Sequence, residues 1–401
     1  MKGKTIKVID YILDYCLYGL VLFLPISTAG IEIFASLLIF FFFIKKVLKP
    51  DFYFFKNRTH LYLLFFVIFN VLSLFNSGVY LKKSLNALFF KWLEYILIFL
   101  IVQDTLNSQK KIRNVLVIFL AVAGLVAIDG IFQKFFGFDF LRQKGVIPIK
   151  EGMSGITGPF HHYNNFAGYL VCVLLIALSL LFLRSKKIIY QLGLSLLIIL
   201  LELCLLFTFS RGGWLSFLLG VILMLFLSRR LKIILPIVFI FIVILILIPT
   251  LRERAIFTFQ KGGDATRFNI WEAAFRMIKE NPFLGKGIGT FMDYFPKYTQ
   301  NLGVQYAHNC FLQIWAETGI FSLLSFLLFV GSVLLRGIKC LGAVSKESRF
   351  FLIGFICSIF AFLVHSFFDT HLYSLQMAVL FWFLISFLLV LSHYKILDTN
   401  W

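Results

Sequence analysis

Long apolar blocks, separated by short polar ones, run from one end of this chain to the other. Most are close to the roughly 20 residues that an α-helix needs to cross a bilayer. The pattern predicts twelve spans, at about 8–26, 29–44, 60–76, 85–102, 113–134, 163–183, 188–209, 213–228, 231–249, 308–335, 350–368 and 372–392. The expected fold class is therefore an all-α membrane protein of about twelve transmembrane helices, forming one polytopic domain over residues 1–401.

The polar blocks are not equivalent. Alternate ones hold small basic clusters, such as Lys45, Lys46 and Lys49, or Arg184, Lys186 and Lys187, and together carry 22 of the 38 lysines and arginines. Positive charge of this register marks the cytoplasmic side, which puts both termini there. The apolar run behind Lys2, Lys4 and Lys7 resembles a signal peptide, but Asp10 and Asp14 interrupt it and another apolar block follows directly. It is read as a retained first helix.

The opposite side has two sizeable loops, about 135–162 and 250–307. Loops of that length in a compact helical protein are usually functional or disordered. The second carries an amphipathic stretch from Phe268 to Lys279, then Asn281-Pro282 and Gly285, Gly287 and Gly289. These read as a helix, a stop and a turn, so the loop between spans 9 and 10 is expected to form a helical subdomain over the bundle.

Composition agrees and narrows the field. The chain is 60% hydrophobic, contains 52 phenylalanines and is 14% charged, against about 25% for a soluble domain. A net charge of +19 would suit nucleic acid if it formed a continuous face; dispersed between apolar blocks, it reads as topology. The six cysteines stand singly, which points to neither a disulfide framework nor a metal cluster. No phosphate loop, dinucleotide fingerprint, H-E-x-x-H motif or internal repeat is present.

The chemistry-bearing residues gather where helices meet the outer loops. In Ser210-Arg211-Gly212-Gly213-Trp214, Arg211 is a cation on the side where basic residues are least expected, ahead of a helix whose positive end faces outward. That pairing suits an anion; a snorkelling arginine beside an interfacial tryptophan explains it equally well. Arg267, one turn before Trp271 in the large loop, is the second cation of interest, although basic loop residues more often form a solvated or lipid-facing charge run. His308-Asn309 stands where that loop returns to the membrane, and a histidine there can act as a base near neutral pH. Glu317, deeper in the same span, needs a buried partner.

The stretch from Gly158 to Ala167 holds His161, His162, Asn164 and Asn165. The histidines fit either metal ligation or a polar rim; an asparagine there fits a helix cap or a sugar contact. Asp369 and His371, in the last short outer loop, fit the same range of roles. Arg, Arg and His without a carboxylate pair suit a reaction in which a diphosphate leaves, because guanidinium groups bind phosphate oxygens bidentately and stabilise the charge that develops on them.

Four motifs in order, Gly158-x-Phe160-x-x-x-Asn164-x-x-Ala167, Ser210-Arg211-Gly212-Gly213, Arg267-x-x-x-Trp271 and the run from His308-Asn309 through Leu312 to Gly319, resemble the O-antigen ligase family, or Wzy-C superfamily. The resemblance implies a glycosyltransferase of the GT-C type in the inner membrane of a Gram-negative bacterium. It implies a glycan donor on undecaprenyl diphosphate, an acceptor sugar on the lipid A core, inversion at the anomeric carbon and no metal or other cofactor. Carried over by motif, Arg211 and Arg267 bind the diphosphate and His308 is the base or positions the acceptor hydroxyl, with Asn309, Trp271, Asn164, Ser210 and Gly212 as substrate-binding neighbours. The superfamily also contains polysaccharide polymerases and protein O-oligosaccharyltransferases. The absence of an extended domain after the last span favours the ligase. From another class, a flippase or transporter would use Lys91, Glu94, Asp129, Glu202 and Glu32 within the spans.

Overall fold

The structure, a computed structural model, describes residues 2–51, 58–150, 152–183, 188–229, 231–256, 265–299 and 306–393. Lys49, Lys110 and most other basic residues expected to mark the cytoplasmic side fall within these bounds, whereas Lys56, Arg184, Lys186, Lys187, Arg230 and Lys395 lie outside the described residues.

A helix stands at each of the twelve expected stretches. In chain order these are α1 (Lys2–Phe23), α2 (Thr28–Leu48), α3 (Arg58–Ser73), α4 (Leu81–Ala87) running through a π-turn at Leu88–Trp92 into α5 (Leu93–Thr105), and α6 (Gln109–Phe136). There follow α7 (Tyr163–Leu180), α8 (Ile188–Phe207), α9 (Arg211–Ser228) and α10 (Leu231–Leu247), then α11 (Pro249–Ile256), α12 (Ala265–Glu280) and α13 (Phe291–Tyr294) in the large loop. The chain closes with α14 (Cys310–Cys340), α15 (Lys346–Ser366) and α16 (Leu375–His393). Among the described residues, nine helical stretches are long and apolar enough to cross a membrane, or ten if the bent pair Ile234–Leu247 and Pro249–Ile256 is one span. The N-terminal helices α1 and α2 are not in that number; α1 carries Lys4, Lys7, Asp10 and Asp14 in its first half.

The core is set by which helices are apolar all round. From Phe166 to Ser179 every residue of α7 is buried, and so is every residue of α16 from Gln376 to Ser392. A helix without a polar face belongs at the centre of a bundle, and the other helices pack around these two. The basic residues expected to mark topology also tie helices together. Lys45 reaches Asp10 at 2.8 Å and Asp104 at 2.7 Å, while Lys46 reaches Asp104 and Asp51, both at 2.6 Å. One buried carboxylate of α5 thus holds two lysines of α2.

The loop between α6 and α7 departs from the all-helical expectation. Ile147–Lys150 and Met153–Gly155 form a two-stranded antiparallel hairpin. It is fixed to α6 by polar side chains one turn apart: Asp129 accepts the amides of Phe140 and Leu141, and Gln133 accepts those of Thr157 and Gly158.

The second loop has its own small core, in which Ile270, Ala274, Met277, Phe291 and Phe295 pack on Leu312 and Ala316. It is also stitched into α14 through a break. Gly319 adopts φ +80° and ψ 173°, a conformation essentially reserved for glycine, and a Cβ there would collide with the carbonyl of Phe283. The break frees backbone groups that helical bonding would have used. Lys286 N–H donates to Ala316 O at 3.0 Å and Gly287 N–H to Glu317 O at 2.8 Å, while Ile320 N–H donates to Pro282 O at 2.9 Å. The Glu317 carboxylate takes the amides of Gly289 and Phe291 and the hydroxyl of Tyr373. Its buried partners are therefore hydrogen-bond donors rather than a cation.

Candidate active site

The start of α7, the large loop, the start of α14 and the short segment between α15 and α16 meet around one cavity of about 830 Å³. Its wall includes His161, His162, Asn164, Arg267, Tyr306, His308, Asp369 and Tyr373. Residues far apart in the chain thus converge at one end of the bundle.

Each wall residue is placed by a local device. His308 has φ +48°, an uncommon backbone for a residue with a side chain, and it directly precedes the cap of α14. Asn309 is that cap: its Oδ1 accepts the amides of Phe311 at 2.9 Å and Leu312 at 3.0 Å. The side chain expected to touch substrate is thereby 2% exposed and committed to the helix. Trp271 also acts from behind, its Nε1–H donating to Ala307 O at 3.1 Å. Because Arg267 lies one turn earlier on α12, this bond ties the helix that carries Arg267 to the segment that carries His308, and both residues line the cavity.

On the opposite wall α7 is capped by His162, whose Nδ1 accepts the amide of Asn164 at 3.2 Å. The cap expected at Asn164 or Asn165 therefore falls two residues before the first of them. Asn164 is free to bridge: its Nδ2–H donates to Asp369 Oδ2 at 2.5 Å and its Oδ1 accepts from the hydroxyl of Ser210 at 2.8 Å. Ser210 caps α9 through the amide of Gly213. The motif glycines are close-contact residues, since a Cβ on Gly212 would stand 3.0 Å from the His365 ring and one on Gly213 would stand 2.8 Å from Ala167. Phe160, fully buried, stacks on Phe166 with centroids 5.7 Å apart.

The centre of this arrangement is Asp369, which the sequence reading gave only a modest role. His308 Nδ1 stands 3.4 Å from Asp369 Oδ1, an ion-pair distance somewhat longer than a hydrogen bond. Burial alone would raise the carboxyl pKa; His308 beside it, the charge of His371 and the Thr370 amide at 2.7 Å outweigh that and hold it well below the usual carboxylate range. His162 is pushed down, first by burial and then by His308 and Arg267 against the opposing pull of Asp369. An anionic carboxylate facing an imidazole that is 38% exposed can orient that ring.

Of the eight residues to which the resemblance assigns a role, His308, Arg267 and Asn164 line the cavity, as do His161, His162 and Asn165, named in the sequence without one. Asn309, Ser210, Gly212 and Trp271 support it from behind. Arg211 is the first residue of α9 and does not line it. Sequence reading named Asp369 only as one of two polar residues in a short loop and passed over Tyr306 and Tyr373, because none of the three sits in a motif; a carboxylate between two apolar blocks was the available signal for Asp369. Among the described residues no group of three His, Cys, Asp or Glu side chains is arranged to hold a metal ion. No curated protein matches the chain. A family match does exist, over a segment that takes in Ser210, Arg211, Gly212, Arg267, Trp271, His308 and Asn309 and leaves out Asn164 and Asp369: residues 194–327, about a third of the chain, match the family model described as O-antigen ligase.

Proposed function

We propose that the chain is a GT-C-type, inverting glycosyltransferase that needs no metal, crosses the bacterial inner membrane twelve times with both termini in the cytoplasm, and has its site on the periplasmic side. It transfers a glycan from undecaprenyl diphosphate to a sugar hydroxyl of the lipid A core. The observation that carries this reading is the meeting of His308, Asp369, Asn164 and Arg267 around one cavity, in a chain whose residues 194–327 match the O-antigen ligases.

The acceptor oxygen attacks the anomeric carbon from the face opposite the diphosphate. A new C–O bond forms as the bond from that carbon to the diphosphate oxygen breaks, and the leaving diphosphate keeps the electron pair. His308 takes the hydroxyl proton on Nε2, because Nδ1 faces Asp369, and the carboxylate stabilises the imidazolium that results. Arg267 offers its planar fork to the phosphate oxygens. Arg211 is given the same role on the strength of its motif, from its place beside Ser210.

Purified protein in detergent, with an undecaprenyl-diphosphate-linked glycan, lipid A core and no ion gradient, is expected to form the joined product. His308→Ala should lower single-turnover transfer on the order of 10²–10⁴-fold with donor binding retained. Supplying a second lipid-linked glycan or a peptide as the acceptor separates ligase from polymerase and from protein glycosylation. Failure to join any acceptor, with gradient-dependent movement of the lipid-linked glycan across vesicles, would establish the transporter instead.

A further inference from the structure

Two smaller hollows adjoin the main cavity in series. A groove of about 670 Å³ between α2 and the π-turn is apolar, with Phe40, Phe43, Val47, Phe89 and Phe90 among its walls and Glu94 at one side. A side chamber of about 530 Å³ is lined by Lys91, Trp92, Tyr95 and Glu317. Phe90 belongs to both groove and chamber. Tyr306 and Tyr373 belong to both chamber and main cavity. The sequence of environments is an open hydrocarbon-like groove, then a chamber with aromatic walls, then the site that holds Arg267 and His308.

Lys91 stands at the first junction. It lies close to the middle of the apolar stretch Gly78–Thr105, is exposed, and among the described residues has no ion-pair partner. The chamber's other lysine, Lys83, is engaged by Asp293 at 2.7 Å. An ionised side chain inside a membrane span is expensive and is usually there to meet an opposite charge. The backbone supports the placement, since π-turns within helices are rare and frequent at functional sites, and this one spans Leu88–Trp92, including both Phe90 and Lys91. Glu94 borders the groove and not the chamber, and the chamber's own carboxylate, Glu317, is taken up by the amides of Gly289 and Phe291 and the hydroxyl of Tyr373, so a negative headgroup is drawn to Lys91 at the chamber end.

We propose that the groove and chamber are a lateral port for a polyisoprenyl phosphate lipid, with its chain along the groove and Lys91 as the first contact of its phosphate on the way to the main cavity. The inference deepens the glycosyl-transfer reading and rests on it for the choice of an isoprenoid over an acyl lipid. Charge complementarity at Lys91 and continuity with the site argue for the occupant.

The test uses the full chain in phosphatidylcholine nanodiscs with undecaprenyl phosphate bearing a diazirine in its chain. Labelling is expected in 36–48 and 89–97, to fall at least fivefold in Lys91→Gln, and to return in Lys91→Arg. Ser36→Trp, which fills the groove without touching Lys91, should abolish it with thermal unfolding unchanged. Inorganic pyrophosphate is expected to leave the labelling in place. Undiminished labelling in Lys91→Gln, or equal competition by phosphatidylglycerol, would overturn the proposal and leave an ordinary anionic-lipid contact. Normal labelling in a protein that transfers no glycan would keep the port and remove the transfer reading; transfer with labelling elsewhere would do the reverse.

Discussion

The imidazole Nδ1 of His308 lies 3.4 Å from Oδ1 of Asp369, although one residue directly precedes the cap of α14 and the other lies between α15 and α16. The second oxygen of the same carboxylate is held by Asn164 at 2.5 Å, so the three form a fixed row. In the proposed reaction this row sets which ring nitrogen faces the acceptor.

Asp369→Asn should therefore lower transfer on the order of 10²-fold or more while donor binding holds. The amide keeps the size but not the negative charge that would stabilise the imidazolium formed during transfer, so the rate should fall in a protein that folds and binds donor normally. An unchanged rate would reduce Asp369 to a structural tie.

The two arginines should respond unequally. Lysine keeps the charge and loses the bidentate fork. Arg267 lines the cavity and Arg211 does not, so Arg267→Lys is expected to raise the donor KM or lower kcat about tenfold or more, with a smaller effect from Arg211→Lys. An equal or reversed order, measured in protein of matched fold, would move the diphosphate towards the start of α9.

His371 gives a pH signature in stability. It is fully buried, its Nδ1 is 3.1 Å from Asn165 Oδ1, and its pKa is pushed down to about 4, first by burial, with His162 adding and Asp369 opposing. The unfolded ring titrates near 6.5. Between those values the unfolded chain takes a proton that the native one refuses, so stability falls as pH drops from about 6.5 to about 4. Asp369, with its lowered pKa, is lost in a separate window below the ordinary carboxylate range. Thermal unfolding in detergent should show the first decline, and His371→Gln should flatten it; an unchanged slope would mean that the ring is solvated in solution.

Gly319→Ala should destabilise the fold by about 1–3 kcal/mol from backbone strain alone, with more from the collision with Phe283. The large loop should loosen first, and proteolysis near 282–290 is the measurement. An intact, protease-resistant loop would show that the break is not what fastens it.

The helices were legible because a membrane span advertises itself by apolar length alone. What was not legible is what the polar exceptions do. Lys45 and Lys46 read as topology markers and turned out to grip Asp104, because the residue that neutralises them arrives from another helix. The site was half visible: His308, Arg267 and Asn164 sit in motifs and line the cavity, whereas Asp369 becomes central only when α15 returns the chain beside α7. Asn309 and Gly212, expected as substrate-binding neighbours, shape a helix end and a close contact. Local pattern reveals that a residue is constrained; only the assembled bundle shows by what.

The Trp271 indole donating to Ala307 has a mechanical consequence. It couples the helix that carries Arg267 to the residue just before His308, so the two groups cannot separate while the bond holds. In the proposed reaction any displacement of α12 would be passed through this indole to the backbone beside the base, so that Arg267 and His308 would shift together rather than one at a time.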